Sequence, residues 1–84
     1  MIKNTEISKD DIQIIYKTIG QNVKKIREAK GISQLNLAMA IGHKSVGVIS
    51  NCEICLQNKH FNIEQLVKIA DVLDVSIKDF FESI

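Results

Sequence analysis

The residues best suited to chemistry in this sequence are two cysteines and two histidines that lie within one stretch. Cys52 and Cys55 form a Cys-x-x-Cys pair, His60 follows five residues later, and His43 precedes the pair. Such a set could bind zinc or undergo redox chemistry. Structural zinc sites take four ligands, usually as two pairs, and this chain has one cysteine pair. We therefore expect Cys52 to pack in the core as a small apolar side chain, with no metal or other cofactor, and a redox role for the pair stays open.

Catalytic constellations are missing from the sequence. No pair of carboxylates, nucleophile with its base, or glycine-rich phosphate loop is visible, and the two histidines fall in different predicted loops. His43 is either a phosphate contact or simply an exposed side chain. We expect no enzymatic activity and no small-molecule ligand.

Size and composition indicate one small helical domain over residues 1–84. The chain contains 84 residues, 45% of them hydrophobic, with no proline and four glycines. Few turn-forming residues and few aromatic residues are typical of an all-α fold. No apolar run approaches the roughly 18 residues that a membrane span needs, and the first residues are too polar for a secretory signal. Two cysteines do not make a disulfide framework, so we expect a cytoplasmic protein.

The net charge of +1 conceals an uneven distribution along the chain. Residues 1–18 are neutral. Residues 19–61 contain six basic and two acidic residues, a net charge of +4, whereas residues 62–84 contain two basic and five acidic residues, a net charge of −3. A basic middle segment favours a polyanionic partner on one side of the molecule.

Periodic apolar residues and capping signals predict five helices. A long helix extends from about Lys9 to Lys30, with Ser8 and Asp11 as a capping box, Gly31 as its stop and Gly20 as a possible weak point. Four shorter helices follow, joined by short connections, and residues 56–61 have no periodicity and predict a loop.

The shorter helices are each predicted from a polar cap. Ser33 caps a second helix over residues 34–41, which Gly42 closes, and Ser45 caps a third. Asn62 caps a fourth, and Ser76 caps the last. The fourth helix is predicted to bury an apolar stripe, which consists of Ile63, Leu66, Val67, Ile69, Ala70 and Leu73.

Three motifs in order carry a family resemblance. They are R-x-x-x-G-x-S-Q from Arg27, L-A-x-x-I-G from Leu37, and L-x-x-I-A-x-x-L-x-V-S from Leu66. With these motifs, residues 14–82 resemble the Cro/phage-repressor (Xre-type) helix-turn-helix family. The resemblance implies a five-helix, lambda-repressor-like bundle with its helix-turn-helix over residues 34–55 and an N-terminal extension over residues 1–13.

The resemblance also implies how double-stranded DNA would be bound. The third helix would lie in the major groove and the second would dock on the backbone. The base-reading positions are Val46, Gly47, Ser50 and Asn51, and the phosphate contacts are Gln34, Lys44, Ser45 and Lys59. Asn51 is the strongest reader because an amide can bind adenine at two atoms. Arg27 and Glu53 match a salt bridge between the first and third helices.

Some positions depart from the family pattern. The turn between Gly42 and Ser45 is one residue longer than the commonest spacing, and Val46 and Gly47 replace polar readers. The loop after the third helix lacks its usual glycine, so Asn58 is the predicted left-handed residue. Leu35 and Met39 lie on a side of the second helix that is usually charged. They are scattered surface residues, or the N-terminal extension or a partner covers them.

The C-terminal segment 76–84, which contains the last predicted helix, is a candidate dimer contact through Phe80, Phe81 and Ile84. One phenylalanine should fill the core and leave the other free for self-association, unless both complete the core. We therefore expect a homodimeric regulator, a repressor or small controller, on a pseudo-palindromic operator. The alternative is a protein-interaction module or antitoxin that keeps the fold and binds DNA weakly.

Overall fold

The computed structural model describes all 84 residues, and its regular structure is entirely helical. Four α-helices follow in order: α1 (Lys9–Ala29), α2 (Gln34–Ala40), α3 (Gly47–Glu53) and α4 (Ile63–Leu73). Two 3-10 helices, Leu56–Asn58 and Ile77–Phe81, complete the chain. The all-α prediction is confirmed, and the count of five helices is corrected. The predicted fifth helix is a five-residue 3-10 helix, and the predicted loop 56–61 contains the other one.

The long helix α1 begins at the predicted capping box. The Ser8 hydroxyl accepts a hydrogen bond from the Asp11 amide (3.1 Å), and Asp11 Oδ2 accepts one from the Ser8 amide (2.9 Å). The helix ends at Ala29, one residue earlier than predicted, and Gly31 follows with φ +71°. A positive φ is readily adopted by glycine, which lets the chain reverse toward α2.

Helices α2 and α3 are short, and the chain between them sets their crossing. The Ser33 hydroxyl caps α2 by accepting the Asn36 amide (3.0 Å), and Gly42 turns the chain with φ +94°. Helix α3 starts at Gly47, and its N-cap is Val46 rather than the predicted Ser45. The Ser45 hydroxyl still accepts the Gly47 amide (3.2 Å), so it fixes the turn just before the helix.

Asn62 is the N-cap of helix α4 and forms a second capping box with Gln65, and Asp74, with φ +55°, is the C-cap. The predicted buried stripe needs one correction. Ile63 and Val67 are 64% and 54% exposed, because only one side of α4 faces the core. No helix is long and apolar enough to cross a membrane.

The core lies where α1, α2, α3, α4 and the last 3-10 helix meet. Its thirteen buried residues include Phe80, Leu37, Ile49 and Leu66, all essentially without solvent contact. Gly20 lies on the buried side of α1, and a Cβ there would approach the carbonyl oxygens of Glu53 and Cys52 to 2.5 and 2.7 Å. The glycine therefore lets α1 pack directly against the C-terminal end of α3.

Candidate nucleic-acid interface

A buried ion pair connects α1 to α3. Arg27 Nε donates to Glu53 Oε2 (2.7 Å) and Arg27 Nη2 donates to Glu53 Oε1 (3.1 Å), while Nη1 donates to the Ile32 carbonyl (2.9 Å). Glu53 is 1% exposed and Arg27 6%. The hydrogen bonds that Arg27 donates to Glu53 raise the pKa of Arg27, so the guanidinium stays charged. The predicted pair is present, and it fixes the last turn of α3 against α1.

Gln34 is part of the same network. Its Nε2 donates to Glu53 Oε1 (2.9 Å), and its side chain is half-buried at the first position of α2. One of the two hydrogens on the side-chain nitrogen is therefore used by Glu53, whereas the side-chain carbonyl makes no hydrogen bond. The donors left at this position are the second side-chain hydrogen and the backbone amide of Gln34.

Helix α3 has a buried face and an accessible one. Ile49, Cys52 and Glu53 face the core, and Gly47, Ser50 and Asn51 are half-buried on the other side. Val46, at the N-cap, is 39% exposed. The four predicted base-reading positions thus lie on the accessible side or start of one anchored helix.

A polar groove of about 520 Å³ borders α3 on one side. It brings together four residues of the sequence prediction, Ser45, Gly47, Asn51 and Lys59. Its wall also contains Asn58 and His60, which were not among the DNA contacts predicted from the sequence. Asn58 has φ +63°, as expected for the left-handed residue, but Cys55 and Gln57 are left-handed as well. The predicted contacts Gln34, Lys44, Val46 and Ser50 lie outside this groove, and Lys44 and His43 are exposed.

The two cysteines are free and lie in the protein interior. Cys52 is 6% exposed and Cys55 7%, and Cys52 belongs to the core, as predicted. Burial raises the pKa of both thiols, which disfavours the thiolate that binds metals and attacks disulfides. No group of three or more histidine, cysteine, aspartate or glutamate side chains is arranged to hold a metal ion.

A second groove, here called the apolar groove, lies between the first half of α1 and the start of α4. Its volume is about 400 Å³, and its mostly apolar walls are formed by Ile12, Ile15, Tyr16, Ile19, His60, Phe61, Asn62, Ile63, Leu66 and Phe81. Phe81 and Ile84 are 37% and 56% exposed. Phe80 is wholly buried, so it belongs to the core and not to a dimer contact.

Leu35 and Met39 form a small exposed pair on α2. They are 48% and 61% exposed, and the exposed N-terminal residues do not cover them. The N-terminal extension therefore does not cover this pair. The two remaining alternatives are that the residues are scattered on the surface or that a partner covers them.

Comparison with known proteins agrees with this geometry. Residues 23–80 match the helix-turn-helix family model. A solved structure, the restriction-modification controller protein C.AhdI from Aeromonas hydrophila, is 26% identical with a TM-score of 0.69. The similarity covers 79% of this chain and 96% of that chain. No curated protein matches the chain. Since the family model spans more than half of the residues, the chain belongs to the helix-turn-helix family of DNA-binding transcriptional regulators.

Proposed function

We propose that this regulator acts as a homodimer on a pseudo-palindromic operator, with α3 of each protomer in the major groove. The observation that carries the proposal is the two-sided character of α3. Its rear is anchored by the Arg27–Glu53 pair, and its front presents Ser50 and Asn51 beside a polar groove. An anchored helix with an accessible polar face suits base reading, because orientation decides which base edges a side chain reaches.

Phosphate binding is assigned to residues at both ends of α3. Ser45 and Lys44 precede the helix, Lys59 follows it, and the backbone amide of Gln34 lies at the start of α2. Together they would fix the register of the protein on the duplex, while Asn51 and Ser50 would specify bases. Residues 34–55 are thus the DNA-binding unit of a single domain, and residues 1–13 are an extension to it.

The dimer contact is assigned to Phe81 and Ile84 in the segment 76–84, next to the apolar groove. These two exposed apolar side chains and the apolar groove walls form a surface whose exposure to water is unfavourable, so burying it against a second copy would lower the free energy. A two-fold dimer would separate two copies of α3 by about 34 Å, one turn of DNA. We place this activity in the cytoplasm and assign no catalytic step to the chain.

Similarity to a restriction-modification controller favours a small controller over a repressor with a sensing domain. The competing candidate is a protein-interaction module, and the observation that favours it is the exposed pair Leu35 and Met39 on α2. The two functions differ in their dependence on salt. Binding through about six phosphates predicts a slope near −5 in a plot of log affinity against log salt concentration.

The first experiment selects bound sequences from random double-stranded DNA and then measures affinity for the selected duplex over a range of salt concentrations. A palindromic selected sequence and a steep salt slope are the expected results. Failure to enrich any sequence, together with a flat slope, would contradict the proposal and favour the interaction module.

The second experiment tests base reading. Asn51→Ala should reduce discrimination between the selected and a scrambled duplex by about 1–3 kcal/mol, because a bidentate amide–adenine contact is lost. Asn4→Ala, in the exposed N-terminal segment, is the matched control and should change neither affinity. Equal losses of Asn51→Ala on both duplexes would instead make Asn51 a backbone contact.

A further inference from the structure

His60 lies at the boundary between the polar groove and the apolar groove. Its half-buried side chain forms part of the wall of both. On the polar side its neighbours in the wall include Asn51 and Lys59, the predicted base-reading and phosphate-binding residues. On the apolar side its neighbour is Tyr16, from the first half of α1. An imidazole at this boundary connects a residue outside the helix-turn-helix to the candidate DNA interface.

Two contacts hold the imidazole ring in place. The ring stacks on that of Tyr16, with centroids 3.6 Å apart and planes 9° from parallel. Its Nδ1 lies 3.3 Å from the Phe61 carbonyl oxygen. A carbonyl can only accept a hydrogen bond, so this contact selects the tautomer with hydrogen on Nδ1. Nε2 makes no hydrogen bond within the chain and is the nitrogen left for a ligand.

The charges around the ring favour an anionic ligand. The titratable side chains in the two groove walls are Lys59 on the same loop, Cys52 from α3 and Tyr16 from α1. None of the residues in either wall is a carboxylate. A phosphate placed between Lys59 and the imidazole would favour the cationic form of the ring, because an opposite charge nearby stabilises a charged group. Binding of a phosphate should therefore be accompanied by protonation of Nε2.

We propose that His60 is a phosphate-binding residue of the DNA interface, which donates a hydrogen bond from a protonated Nε2, and that Tyr16 is its positioning residue. The proposal rests on the DNA-binding function proposed above. It assigns to the start of α1 a role in DNA affinity, although this part of the helix lies outside residues 23–80.

The test compares His60→Gln with the wild-type chain on the selected duplex between pH 5.5 and 8, at constant ionic strength. At pH 5.5 we expect His60→Gln to weaken binding by about fivefold, the upper range for an exposed charge pair. The advantage of the wild-type chain should shrink as the pH is raised to 8, because only the cationic ring can donate from Nε2 while Nδ1 donates to the Phe61 carbonyl. The salt slope should also become shallower by about 0.9 in the variant at pH 5.5 only, as one phosphate contact is lost.

A single-histidine background isolates the residue. The chain has two histidines, so in His43→Gln the only remaining one is His60, and the pH dependence of binding should persist there. Tyr16→Phe keeps the stacked ring and should behave as wild type, whereas Tyr16→Leu should lose part of the advantage at pH 5.5. A merely structural role of Tyr16 would lower stability without changing the pH profile.

A measurement on the wild-type chain tests the proposal even if the variants misfold. Calorimetry of DNA binding at pH 7, in two buffers with different ionisation enthalpies, should show net proton uptake by each bound protomer. Binding without proton uptake, or a pH profile that His60→Gln leaves unchanged, would overturn the assignment of His60. Those outcomes leave DNA binding itself intact, whereas a chain that binds DNA at no pH overturns both proposals.

Discussion

Glu53 connects α3 to the two helices packed against it. Its carboxylate is essentially buried and accepts hydrogen bonds from Arg27 and from Gln34, which belong to α1 and α2. One side chain at the end of α3 thus joins the three helices of the interface. A buried charge pair is costly to break, because the partner that remains is left in the interior without compensation.

We expect Glu53→Ala to reduce the free energy of unfolding by about 3–5 kcal/mol, since Arg27 is then buried and unpaired. Urea denaturation followed by circular dichroism measures this loss. The control is the double variant Arg27→Met with Glu53→Leu, which removes both charges and should unfold at nearly the wild-type urea concentration. A loss below about 1 kcal/mol in Glu53→Ala would show that water reaches the pair and solvates Arg27.

At the scale of the elements, the contact between α1 and α3 depends on a missing side chain. Gly20 lies against the last carbonyls of α3, where a Cβ has no room. Both groups in the way are backbone atoms, which cannot rotate aside as a flexible side chain can. The glycine is costly for helix α1 taken alone, so the packing of the two helices is the physical reason for it.

We expect Gly20→Ala to destabilise the fold by about 2 kcal/mol, as overpacking outweighs the gain in helix propensity. Gly47→Ala is the matched control, because a Cβ there would lie 3.4 Å from Ser45 Oγ, an ordinary contact distance. Its stability should be unchanged or higher by up to about 1 kcal/mol. Thermal unfolding of both variants gives the comparison, and equal melting temperatures would mean that α1 can shift away from α3.

Local sequence signals predicted the elements well, and long-range packing accounts for what they missed. Capping at Ser8, Ser33 and Asn62 depends on neighbouring residues only, and the structure confirms all three. The exposure of Ile63 and the close approach at Gly20 depend on which elements meet in space. Periodicity within one helix contains no information about that.

In the candidate interface, too, some features were predicted from the sequence and others depend on long-range packing. Family motifs located the Arg27–Glu53 pair, which the structure shows, and the base-reading positions remain predictions. His60 was missed because its role depends on Tyr16, which lies 44 residues away in the sequence and on another element. The adjacency of His60 to Lys59 was the one available signal, and a single histidine in a loop is too common a feature to interpret.

At the scale of the whole molecule, the surface has a polar groove and an apolar groove at different places. The polar groove with Lys59 lies beside α3, and the apolar groove with Phe81 lies between α1 and α4. The proposed function assigns DNA to the first groove and a second copy of the chain to the surface near the other.

We expect Phe81→Glu to convert the proposed dimer into monomers, because a carboxylate would have to be buried without a partner in the contact. Light scattering of the purified protein measures the mass. Ile14→Glu is the control, since Ile14 is 63% exposed but does not line the apolar groove, and its dimer should persist. If Phe81→Glu remains dimeric and folded, self-association uses another surface.

The two bonds of Asn22 have a consequence for how the molecule forms during synthesis. Its amide nitrogen donates to the carbonyls of Phe80 (3.0 Å) and Glu82 (2.9 Å), and Phe80 is the largest fully buried side chain. Until residues 80–82 leave the ribosome, α1 lacks these partners and the core lacks the Phe80 side chain. The segment proposed to read DNA is made midway through translation but acquires its final support only afterwards, so we expect a nascent chain that stalls before Phe80 to be unable to compete for DNA.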